Sequence, residues 1–214
     1  MEWPDECLSI YFDHKKNYQT GQRKRGPRHI YADPIDPVVC LILALSIYSS
    51  IFLNIGTKDT SLFPGKNQYK KFAKYFGFII VNNYIEEIKD DFGVDVKDNV
   101  VHLLRQGAAS YVSLGSTCAP PPQVATNIRA GWTIGQRQDT YLRFKSAGDQ
   151  YVGCVVSGLP ICFPNFTVLR PQFDCCVPDS EEIIQIVFPS IPSGLISAGR
   201  FLSAYILFHA RVKE

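Results

Sequence analysis

HLLRQGAASYVSLGSTCAPPPQVATNIRAGWTIGQRQDTYLRF, residues 102 to 144, holds the pattern on which the reading of this chain turns. It opens on His102 and Arg105, passes through Gly131-Trp132, and places Tyr141 nine residues beyond the tryptophan. An imidazole and a guanidinium three residues apart project from one face of a helix. The guanidinium presents a planar fork of donors that fits phosphate oxygens. A tyrosine phenol is a weak nucleophile near neutral pH, because its unperturbed pKa lies near about 10. Attack on phosphorus therefore requires a cationic site that favours the developing oxyanion. These residue types, in this order, can hold a phosphodiester and attack it.

Upstream lies a second polar feature. HKKNYQTGQRKRGPRH, residues 14 to 29, carries six Lys or Arg and no acid, in a chain whose net charge is only +2. Such a cluster neutralises phosphates, although taken alone a solvated loop is its plainer reading. Lys15, Arg23, Lys24, Arg25 and Arg28 are the candidate phosphate contacts. Residues 7 to 13, CLSIYFD, read as a strand, Thr20-Gly21 as a turn, and His29 to Ala32 as the return strand of an antiparallel hairpin with its basic residues at the tip.

The rest reads as mostly helical, so the expected class is α+β with one small antiparallel sheet. Pro37 opens an apolar helix over VVCLILALSIYSSIFL, residues 38 to 53. At 16 residues this stretch is short of the roughly 20 needed to span a bilayer, so a buried core helix is expected and no membrane. A helix over 67 to 84 places Tyr69, Phe72, Phe76 and Ile80 on an apolar face. Asp98 or Asn99 caps the helix bearing His102 and Arg105, which runs to about Gly115. Prolines 120 to 122 open another helix through Ala130, and a short helix near 139 to 144 carries Tyr141.

After Gly148 the texture changes. Residues 150 to 177 read as irregular strand and loop, followed by a short helix over 180 to 187 and an amphipathic helix over 195 to 212. The expected division is a catalytic domain over 7 to 147 and an accessory segment over 148 to 214. Seven cysteines, an odd number without paired CxxC spacing, argue against both a structural zinc and a secreted disulfide framework, so no metal is expected and the chain reads as intracellular and reduced. The acidic opening MEWPDE lacks the basic region of a signal peptide.

The central stretch resembles the active-site half of a tyrosine recombinase, the phage-integrase class of DNA strand-exchange enzymes. His102 and Arg105 match its H-x-x-R box, Gly131-Trp132 its Gly followed by His or Trp, and Tyr141 its nucleophile spacing. The segments RAGW, DTYLRF, SAGDQYVG and PRHIYADP look more specifically like the Crypton-type recombinases of eukaryotic mobile elements, over about residues 9 to 212. The resemblance implies part of the DNA breaking-rejoining fold and chemistry that needs no metal or other cofactor. Tyr141 attacks a DNA phosphate to form a 3′-phosphotyrosyl link, Arg105 binds nonbridging oxygens, and His102 hydrogen-bonds the phosphate or takes the phenolic proton. Trp132 donates its indole N-H, and Lys16 protonates the 5′-leaving group. Double-stranded DNA is the implied partner, a homo-oligomer exchanging the terminal helix the implied assembly, and the nucleus the implied location, with the cytoplasm as alternative.

The family's site carries two arginines, and the first precedes the hairpin. This chain has no arginine before Arg23, so it reads as an N-terminally truncated, element-derived domain defective in full strand exchange. The alternatives are a non-catalytic DNA-binding or interaction module and a non-functional gene fragment.

Overall fold

The computed structural model describes residues 3, 6–11, 26–52, 63, 65–92, 100–114, 120–132, 146–164, 166, 171–173 and 180–211. Within them lie strands β1 (Leu8–Ile10) and β2 (Arg28–Ile30) and helices α1 (Leu41–Phe52), α2 (Gln68–Phe92), α3 (Val100–Leu114), α4 (Gln123–Ala130), α5 (Ser146–Val156), α6 (Ser180–Val187) and α7 (Ile196–Arg211). The described chain is thus mostly helical with a two-stranded antiparallel sheet, the α+β class expected. Leu8 pairs with Ile30, Ser9 with His29 and Ile10 with Arg28. The basic tip between the strands and the helix expected around Tyr141 lie outside the described residues.

Two compact units divide the chain, one of Met1–Gly56 with Tyr111–Glu214, the other of Thr57–Ser110. The boundary expected at 147/148 falls instead inside α5, whose residues pack on β2 and α4. In the first unit the larger core gathers Leu8, Ala32, Ile42, Ile184, Phe188, Leu202 and Tyr205, so that α7 lies against α1 and α6 of its own chain. A second cluster joins Cys7, Tyr31 and Leu159, and a third joins Val112, Val152 and Val155.

Helix α1 starts at Leu41, later than Pro37, for a local reason. Asp33 Oδ1 accepts the N–H groups of Ile35 and Asp36, and Asp36 Oδ1 accepts that of Val38, which holds the chain in turns. The Cys40 thiol then takes the N–H of Leu43, a capping position. The expected core helix is buried along one stripe only, at Ile42, Ser46 and Ser49, while Leu41, Ile47 and Ile51 stay about half exposed. Ser46 reaches this interior because its hydroxyl donates to the carbonyl of Ile42. No helix among the described residues is long and apolar enough to cross a membrane.

In the second unit α2 runs to Phe92, beyond the Tyr84 end expected. Phe76 and Ile80 are partly buried, but Tyr69 and Phe72 are exposed, with Phe72 stacked on Phe76 at a centroid distance of 5.6 Å. The expected loop after Gly148 is in fact α5. Its glycines and valines argue locally against helix, yet Asp149 lies in the first turn and Val152, Gly153 and Val155 are buried by tertiary packing. Cys162 is disulfide-bonded, which corrects the expectation that every cysteine is reduced.

Candidate functional site

His102 and Arg105 both lie on α3, and both are exposed. Three residues apart on a helix, they share a side, so an imidazole and a guanidinium can approach one anion together. Both belong to the second unit, whereas Trp132 belongs to the first. Tyr141, Lys15, Lys16, Arg23, Lys24 and Arg25 lie outside the described residues.

The Gly131-Trp132 pair has a clear local origin. Gly131 sits at φ 76, the left-handed conformation that ends α4 at little steric cost. Its N–H bonds the carbonyl of Ile128 and the Trp132 N–H bonds that of Asn127, at 3.1 and 2.9 Å, the paired pattern of a Schellman motif. Trp132 therefore leaves the helix in one fixed direction, with 37% of its surface exposed.

Arg28 does not face solvent as expected of a DNA contact. It is 9% exposed, with Nη1 on Asp149 Oδ1 at 3.2 Å and Nη2 on the Ile128 carbonyl at 3.0 Å. It belongs to a buried hub whose members lie far apart in the sequence and carry no shared local pattern. Asp149 Oδ2 accepts the His29 N–H at 2.9 Å and Arg129 Nη1 at 2.7 Å, and His29 Nδ1 lies 2.9 Å away. Arg129 Nη1 also meets the Asp149 carbonyl at 3.1 Å, and Nη2 the His29 carbonyl at 2.8 Å. An ionised carboxylate only accepts, so His29 carries its proton on Nδ1 and turns Nε2 toward the Ser146 hydroxyl, 3.4 Å away.

Ser146, His29 and Asp149 thus have the connectivity of a serine relay, but not its electrostatics. Two guanidiniums already engage Asp149, so no uncommitted carboxylate remains to balance an imidazolium. A structural role fits the hub better. Buried charges persist when every partner is in place, and removing one typically costs about 3–5 kcal/mol.

One signal for the hub did stand in the sequence. Arg28 and His29 lie in PRHIYADP, Arg129 in RAGW and Asp149 in SAGDQYVG, three of the stretches that carried the family resemblance. Folding brings them to one point. Gly153, also in SAGDQYVG, permits the approach, since a Cβ there would lie 2.7 Å from the His29 carbonyl oxygen.

In the second cluster, Tyr31 packs with Cys7 and Cys154. Burial raises the Tyr31 phenol above its ordinary value and pushes the Cys154 thiol up to about 11, so this thiol is protonated at neutral pH and a poor nucleophile. Among the described residues no group of His, Cys, Asp or Glu is arranged to hold a metal ion. No family model, curated protein or solved structure matches the chain.

Proposed function

We propose that this chain is a DNA-handling domain derived from a tyrosine recombinase, in which Tyr141 is the nucleophile toward a DNA phosphate and His102, Arg105, Trp132 and Lys16 serve the same phosphate. The observation that carries the reading is the H-x-x-R pair, exposed and on one side of α3, in a sequence that also holds Gly131-Trp132 and Tyr141 at the family's spacing. Lys15, Arg23, Lys24 and Arg25 supply charge for the DNA backbone. Arg28 is not in that set, being committed to Asp149 and Ile128. For the same reason it does not stand in for a second guanidinium at the phosphate. A site served by Arg105 alone forgoes one charge-stabilising donor, worth about 10² to 10³ in rate, so binding of duplex DNA is expected to exceed its cleavage.

A nicked suicide duplex, which traps the covalent intermediate, tests this. The expected result is binding with only a trace of covalent product, abolished in Tyr141→Phe. Robust trapping overturns the inferred defect, a product that survives Tyr141→Phe overturns the nucleophile, and failure to bind at low salt overturns the DNA reading.

A further inference from the structure

We infer that Lys71, Lys74, Tyr75 and Phe78 form a strip on the outer face of α2 that takes unpaired DNA, its rings stacking on bases and its lysines meeting phosphates. The choice of DNA as the polyanion rests on the reading proposed above; the strip itself does not.

Spacing puts the four together. They stand at i, i+3, i+4 and i+7, which on an α-helix is one face. The opposite side of these turns holds Ala73, Phe76, Gly77 and Ile80, all half-buried. Lys71 and Lys74 are exposed, and Tyr75 and Phe78 each keep 67% of their surface in solvent. A helix that packs through one side normally sends polar residues to the other. Here two large rings share the outer side with the lysines, and such a patch marks an interaction site where single scattered apolar residues do not.

Charge then selects the partner. Between Asp59 and Glu86 the sequence holds four lysines and no acid. Neither Lys71 nor Lys74 is in an ion pair among the described residues. The strip therefore fits an anion that also offers flat apolar surface. Single-stranded nucleic acid has both, since every base presents a π-face along a charged backbone. A duplex keeps its base faces stacked inside, so the rings favour unpaired strand. An anionic membrane fits less well, because an interfacial helix segregates its cations from its apolar face, whereas Phe78 lies between Lys71 and Lys74 around the helix. At 1.5 Å per residue the strip runs about 10 Å along the axis, or about three nucleotides at the roughly 3.4 Å spacing of one strand. The unit that carries it also carries His102 and Arg105.

The test follows the anisotropy of a fluorescein-labelled oligothymidylate, which does not pair with itself, as the full chain is added across a salt series. Tyr75→Leu and Phe78→Leu keep apolar bulk but lose the ring, and each is expected to weaken binding at least about fivefold with the salt slope unchanged. Lys71→Gln together with Lys74→Gln is expected to make the slope shallower by about 1.4, at about 0.7 for each single-strand phosphate. Tyr69→Leu, as exposed but on the opposite side, is expected to change nothing. All these positions are exposed, so helical circular dichroism is expected to match wild type. No binding of oligothymidylate at low salt, binding that the ring and lysine variants leave unchanged, or duplex binding weakened as much as single-strand binding would each overturn the strip. Capture by phosphatidylserine vesicles that the same variants abolish, with oligothymidylate left unbound, would assign the face to a membrane instead. Duplex DNA separates the two ideas. A wild type that fails on duplex yet shows this pattern on oligothymidylate overturns the duplex reading and leaves the strip standing, and the reverse result overturns the strip alone.

Discussion

Gly153→Ala probes the close approach on which the hub depends. The added Cβ would lie 2.7 Å from the His29 carbonyl oxygen and 3.1 and 3.2 Å from two ring carbons of Tyr31. Backbone cannot swing aside as a side-chain tip does. Reaching the 3.4 Å of ordinary contact means parting α5 from β2 by about 0.7 Å. Such a shift strains the 2.9 Å bond from His29 N–H to Asp149 and the 2.8 Å bond from Arg129 to the same His29 carbonyl. Overpacking costs about 1–3 kcal/mol, weakened buried hydrogen bonds about 1 more, and the better helix propensity of alanine offsets about 1. The net expectation is a loss of about 1–3 kcal/mol, or a Tm lower by about 3–9 °C for a chain of this size. Helical circular dichroism during heating measures it, with Gly107→Ala as the control. A Cβ at Gly107 meets nothing within 4 Å, so that variant should gain up to about 1 kcal/mol. A Gly153→Ala protein that melts at or above wild type would refute the tight contact between α5 and β2.

Other expectations follow from the buried polar groups. Tyr205 donates its hydroxyl to the Asp33 carbonyl and accepts from the Cys40 thiol at 3.4 Å. Tyr205→Phe leaves that carbonyl unsatisfied and should cost about 1–3 kcal/mol, seen as a lower urea midpoint at unchanged slope; an unchanged midpoint would contradict the contact. Burial raises the Tyr31 and Tyr205 phenols and pushes the Cys154 thiol up to about 11. The folded chain therefore keeps protons that the unfolded chain releases above about pH 9, so stability is full at neutral pH and falls as pH rises beyond that point. Urea midpoints that stay level between pH 7 and pH 10.5 would contradict this.

Much of the helical framework was legible because its signals are local. The helix at 180–187 has the bounds its sequence gave reason to expect, the three prolines do precede α4, and the terminal helix was visible as an amphipathic pattern. What was hidden depends on partners far along the chain. Helix α5 looks like loop because Gly148 and Gly153 argue against helix, and only the nearness of β2 explains the second of them. Asp149 reads as one acid in an apolar stretch, and nothing within ten residues announces that two arginines and a histidine will close on it. Arg28 shows the same limit from the other side. As the last cation of a basic run it reads as a solvated contact, yet β2 turns it inward. His102 and Arg105 were legible as an exposed pair because i, i+3 spacing alone places them together.

Whether duplex DNA is the partner of this chain is decided most directly by its affinity for a short duplex as a function of salt. Wild type would be compared with a variant carrying Lys16→Gln, Arg23→Gln, Lys24→Gln and Arg25→Gln. Each phosphate neutralised contributes about 0.9 to the slope of log K against log salt, so a steep slope that becomes shallower by about 3–4 in the variant is the predicted result. No binding at low salt, or a slope the four substitutions leave unchanged, would contradict it.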